Sequence, residues 1–232
     1  MTVPLTAPRS PLSELWLRVQ RERALIALFD LGRQKSAGLR LAKLYAFGVF
    51  VSYAIAISLT RESARSAAIH GFIHAALGSL SWVVGALAAL GSAQALAQQS
   101  ERDALSSLAV QRGFSHSALL RARTMAASVR VARLVGIPGL LLVVVGVARG
   151  ATLPWALAVA PAVVVYAGAL GLALALLAHF SAELSPSHPR ALLAVLVLGP
   201  FLIASAYPAV PSLPRLFSGL LSQLLAAGAA LS

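Results

Sequence analysis

Residues 150–182 read GATLPWALAVAPAVVVYAGALGLALALLAHFSA, 33 consecutive positions without Asp, Glu, Lys or Arg. A helix of about 20 such residues, rising about 1.5 Å per residue, crosses the hydrocarbon core of a bilayer. The block therefore holds a full span with length to spare. Pro154 and Trp155 stand at its outer end, and a span over Pro154–Leu177 with a kink at Pro161 is predicted.

Working outward, the same pattern recurs. Leu44–Thr60 offers 17 uncharged residues, the minimum for a crossing, closed by Arg61, Glu62 and Arg65. Residues 66–100 are uncharged over 35 positions, too many for one upright span, so this helix tilts, projects from the bilayer or opens with a non-spanning piece near His70 and Gly71; a span over about Ile73–Leu96 that continues into the cytoplasm is favoured. Leu134–Ala148 is too short, so its helix starts earlier and Arg130 and Arg133 reach back to the headgroups. Ala191–Tyr207 forms a fifth span, broken at Gly199 and Pro200 because proline lacks a backbone donor and clashes with the carbonyl four residues earlier. Leu216–Ser232 makes a sixth, with an outward-facing re-entrant piece as the alternative.

The fold class expected is an all-α polytopic membrane helix bundle, about six transmembrane helices plus an N-terminal amphipathic interfacial helix. Residues 1–43 form that interfacial segment, with Leu12, Leu15, Trp16 and Val19 set among Arg18, Arg21 and Arg23; an ordinary cytosolic helix packed on a partner would carry the same pattern. Residues 44–232 form the transmembrane domain, interrupted by a polar loop at 99–133.

Composition agrees. Hydrophobic residues make up 59% and charged residues 11%, against roughly 45–50% and about 25% in soluble domains. The net charge of +12 does not indicate nucleic acid, because the cations lie between apolar blocks, where anionic lipid headgroups are their partners. Alternating crossings place 15 Lys and Arg residues on one side and four on the other, which puts the N-terminus and residues 99–133 in the cytoplasm. The alanine- and leucine-rich usage suits a bacterial cytoplasmic membrane.

Site chemistry is sparse. With no cysteine there is no thiolate nucleophile or thiolate-held metal. Gly32-Arg-Gln-Lys35-Ser36 lacks the first glycine of a phosphate-binding loop, so ATP hydrolysis on this chain is not expected. No zinc-protease helix or serine elbow occurs, and no acidic residue falls inside a predicted membrane core. His179, Glu183 and His188 belong to a proline-bounded turn, and His70 with His74 to an interfacial helix face. Small-residue spacings such as Ala75 with Ser79 and Ala89 with Ala93 carry little information in so alanine-rich a chain. No catalytic residue, cofactor or metal is expected.

The most informative polar stretch runs from Glu101, Arg102 and Asp103 through Leu105 and Leu108 to Arg112, Gly113 and Phe114, and returns through Arg123. A membrane helix here runs into a short charged helix with two apolar positions, turns at glycine and re-enters through a basic helix. This arrangement resembles the permease subunits of type-2 ABC exporters, in which an acidic residue after the second membrane helix, leucines, a turn and a basic residue lead into the third. The family commonly has Gly-Thr after the glutamate and proline at the turn, where this chain has Arg102 with Asp103 and Val110 to Gly113. The resemblance implies a coupling helix that docks on separate ABC ATPase subunits, and a second permease copy or paralogue as partner. The other reading of the same loop is a non-transporting membrane scaffold or assembly factor that binds a cytosolic protein.

Overall fold

The structure is a computed structural model. It describes residues 37–60, 65–97, 113–206 and 212–230, with a few single positions at 20–23 and 107–111, and the described residues are helical apart from short connections. In chain order the helices are α1 (Ala37–Leu59), α2 (Arg65–Ser79), a π-helical segment (Leu80–Val84), α3 (Gly85–Ala97), α4 (His116–Ala148), α5 (Leu153–Leu184), α6 (Pro189–Ala206) and α7 (Leu213–Ala230). Nearly all of the expected interfacial segment 1–43 lies outside the described residues.

Four of these rods are long and apolar enough to cross a membrane: α1, the continuous rod of α2, the π segment and α3, then α4 and α5. Their outward faces are as apolar as their packed faces. On α1, Leu39, Ala42, Ala46 and Val49 are buried while Leu41, Leu44 and Phe47 are exposed. A helix in water would carry polar residues there, and lipid is the solvent that tolerates this pattern. The protein is a membrane protein with at least four such helices.

α5 is the hub, packed along α4 and against α3, α6 and α7, while α1 lies against α4 and the α2–α3 rod. Contacts fix the levels of the rods. The Arg149 guanidinium donates to the Ser58 carbonyl, so α1 and α4 end together and run parallel. A Cβ added at Gly146 would stand 3.0 Å from Ile69 and 3.4 Å from the Trp155 ring, which brings the starts of α2 and α5 to that same end. Further down, the Tyr45 hydroxyl lies 3.0 Å from Ser79 Oγ.

Several boundaries differ from the sequence reading. α1 begins at Ala37, because Arg40 and Lys43 sit exposed on its first turns and need not end it. The second rod begins at Arg65 instead of Ile73 and absorbs its surplus length by running on to Ala97. Pro161 lies inside one unbroken α5, and Pro138 inside α4. The break expected at Gly199 and Pro200 is not a helix end, since α6 is continuous from Pro189 to Ala206. Proline removes one hydrogen bond from the ladder, and in a water-poor setting the remaining bonds hold the helix.

The largest difference concerns the fifth and sixth spans. α6 packs on α3 and α5, its Leu193 and Val197 sharing a small apolar cavity with Ala86, Ala89 and Leu90. α7 packs on α2 and α5. Phe217 meets the Tyr166 ring edge-on at 6.1 Å, Tyr166 reaches Ser81 of the π segment, and further along α7 Ser222 Oγ lies 3.1 Å from His74 Nε2. From Phe217 to Ser222 the chain thus climbs from the π segment toward the start of α2. α6 and α7 have 18 residues each against 32 in α5, with α6 set against α3 and α7 against α2.

A topological prediction follows that is independent of absolute orientation. In the cysteine-free chain, Thr60→Cys and Ala229→Cys should be labelled by an impermeant thiol reagent from the same side of the membrane. Six full crossings would put them on opposite sides, and labelling from opposite sides would refute the placement of the end of α7 beside the start of α2.

Candidate functional site

Buried polar side chains are not spread evenly along the bundle. Ser92, Arg123, Thr124, Ser128, Arg130 and Ser181 all lie toward one end, whereas Ser81 and Ser212 are the buried polar residues elsewhere among the described positions. The level at which this begins can be read from neighbours. A Cβ at Gly38, near the start of α1, would stand 3.5 Å from the Leu87 carbonyl, and one at Gly85 would meet Leu174, Leu170 and Val131. Beyond that level α3 continues to Ala97, α4 has already run from His116, and α5 continues to Leu184. At about 1.5 Å per residue these portions project roughly 15–20 Å past the start of α1.

Polar residues at this end are used structurally. Ser92 Oγ donates to the Ala88 carbonyl at 2.9 Å, Thr124 Oγ1 to that of Leu120 at 3.2 Å and Ser181 Oγ to that of Leu177 at 2.7 Å. Arg123 and Arg130, two turns apart on one face of α4, are 5% and 8% exposed. Placing a guanidinium at the bilayer centre costs at least about 2.5–3.5 kcal/mol. These projecting portions form a helical extension whose mixed polar core holds both arginines.

The extension ends in the polar stretch singled out from sequence. Glu101, Arg102, Asp103, Leu105, Leu108 and Arg112 lie outside the described residues. Gly113 takes the turn with φ of +80°, a conformation in which glycine avoids the Cβ strain of other residues, and its N–H bonds to the Val110 carbonyl at 2.9 Å. Phe114 is half-buried beside it. Ser115 then caps α4, its Oγ accepting from the Ala118 N–H at 3.3 Å. Sequence reading missed this cap, although a serine ahead of a long apolar helix is its usual signal. Gly199 is half-buried within α6.

A second polar contact sits deep in the apolar part. The π-helical segment widens the second rod by one residue per turn and aims Ser81 at α5. Ser81 Oγ lies 2.7 Å from the Tyr166 hydroxyl and donates to the Leu77 carbonyl at 2.5 Å. A tyrosine in an uncharged block needs a partner for its hydroxyl, a signal present at Tyr166 and not followed. Among the described residues no group of three His, Asp or Glu side chains comes together to hold a metal, and His179, Glu183 and His188 do not assemble one.

Comparison with protein-family models, with curated proteins and with solved structures gives no match.

The Ser81 and Tyr166 pair yields an asymmetric prediction. Tyr166→Phe leaves Ser81 bonded to the Leu77 carbonyl, whereas Ser81→Ala strands a buried phenol. Ser81→Ala should therefore cost about 1–2 kcal/mol in a reversible unfolding assay in detergent and Tyr166→Phe less than about 1 kcal/mol. Equal or reversed losses would show that the pair does not act as described.

Proposed function

We propose that this chain is the membrane-spanning permease subunit of an ATP-driven type-2 ABC exporter, seated in a bacterial cytoplasmic membrane with its N-terminus and helical extension in the cytoplasm. The observation that carries the reading is the extension itself. α3 runs to Ala97 and α4 starts at His116, both past the start of α1, so in this reading the polar stretch that joins them in sequence is carried at the cytoplasmic tip of the extension. That is the position from which a membrane subunit offers a knob to a soluble motor. The excess of Lys and Arg in residues 1–43 and 99–133 supports the cytoplasmic placement.

In this reading residues 100–120 form the coupling segment. Leu105 and Leu108 seat in a cleft of the ATPase, while Glu101, Arg102, Asp103 and Arg112 set its orientation by charge. Gly113 and Phe114 hold the turn. Closure of two ATPase subunits on ATP shifts the segment, and α3 and α4 carry the shift into the bundle. The π-helical segment, where the second rod changes its winding, is a place where that rod can bend. A second permease copy or paralogue completes the pathway. Leu172, Leu176, Phe180 and Leu184 recur every four residues on α5 and are 39–61% exposed, an apolar stripe that continues into the extension and suits a partner's helix.

Replacing Leu105 and Leu108 together with Asp should abolish capture of the ATPase and motor-driven transport while leaving membrane insertion unchanged. Undiminished co-purification of an active ATPase with the double variant would reject the coupling reading. A chain that never associates with an ATPase would fit the scaffold reading instead.

A further inference from the structure

A groove of about 230 Å³ runs between α1 and α4, and its walls are almost wholly apolar. The two helices run parallel, so residues late in each lie at the same end. Lys43 and Arg133, both exposed, line the groove at its near end. Phe47 and Phe50 on α1 and Ile137 and Leu141 on α4 line it from there, over about 10–12 Å at 1.5 Å per residue. Phe47 and Ile137 are 66% and 53% exposed, so the groove opens to the surrounding lipid.

Its wall also holds a backbone feature. Pro138 has no N–H, so the Leu134 carbonyl lacks its usual donor four residues on; Leu134, next to Arg133, and Pro138, one turn beyond Leu134, both line the groove. Inside a membrane such a carbonyl needs a donor from elsewhere. A ligand that fits has an anionic head for two cations and an acyl chain for the aromatic and aliphatic walls.

We infer that this groove is a specific site for an anionic glycerophospholipid, with the phosphate between Lys43 and Arg133 and one acyl chain laid between α1 and α4. The site deepens the expectation of anionic headgroup contacts by locating one. It depends on the chain being in a membrane and not on the exporter reading, so failure of either leaves the other standing. Occupancy would tie α1, the least enclosed of the long helices, to α4.

The test is native mass spectrometry of the full chain released from detergent with phosphatidylglycerol and phosphatidylcholine of matched acyl chains. The wild type should retain phosphatidylglycerol over phosphatidylcholine by roughly fivefold or more, the factor that one cation near an anionic lipid is worth. Lys43→Gln with Arg133→Gln should bring the ratio close to one. Arg190→Gln, an exposed cation outside the groove, should leave it unchanged. Ile137→Trp fills the groove without altering charge and should lower retention of phosphatidylglycerol, which guards against a double variant that simply misfolds. Equal retention of the two lipids by the wild type would overturn the site, including the case in which the chain's own N-terminal residues fill the groove. Equal losses in Arg190→Gln and the double variant would reduce it to diffuse surface charge and overturn it too.

Discussion

Everything in this bundle is hung on the contact between α4 and α5. A Cβ at Gly171 would stand 2.5 Å from the Ser128 carbonyl, and Gly136 approaches Ala167 to 3.2 Å on the same measure. At Gly139 the space is already taken by Leu77 at 2.8 Å and Val163 at 2.9 Å. Lipid tails are as apolar as leucine, so no hydrophobic force pulls these helices together; close packing of small residues does. Gly85 repeats the device between α3 and α5, with Leu174 at 2.9 Å. With α3 and α4 fixed on α5, the end of α3 and the start of α4 are delivered side by side into the extension.

Polarity then divides the bundle along its length. Near Arg149 and Trp155 the rods meet through aliphatic and aromatic contacts, and the deepest polar contact is Ser81 with Tyr166. Toward Ala97 and His116 the packing admits serines, a threonine and two arginines. In the proposed placement the change in side-chain chemistry follows a change of solvent, from hydrocarbon to headgroups and water. A stalk of this kind can be stiff and yet dock to soluble proteins, which links the fold to the proposed coupling role.

The long rods were legible in the sequence because charge is the strongest signal a membrane leaves. Leu44–Leu59, residues 66–97 and Leu153–Ala182 of these uncharged blocks each lie within a helical rod. The early start of α4 followed from the shortness of Leu134–Ala148. Other features left no such mark. Two apolar blocks of 17 residues at 191–207 and 216–232 read as a fifth and a sixth span, with a re-entrant piece as the alternative for the second, and six crossings are not confirmed among the described residues. The π-helical segment has no composition of its own. Gly136, Gly139 and Gly171 were lost among alanines, since spacing alone cannot tell a small residue at an interface from one facing lipid. Of the coupling residues, Gly113 and Phe114 are seen, and Gly113 makes the turn expected of it.

The central claim, that one end of the bundle leaves the bilayer while the rest stays in it, is tested most directly by spin-label depth measurement in reconstituted membranes. Labels at Phe47→Cys and Leu157→Cys, positions 66% and 68% exposed, should collide mainly with oxygen dissolved in hydrocarbon. Labels at Arg121→Cys and Met125→Cys should collide mainly with a water-soluble nickel chelate. Oxygen-dominated collisions at 121 and 125, as deep as those at 47, would place the extension in lipid and contradict the account.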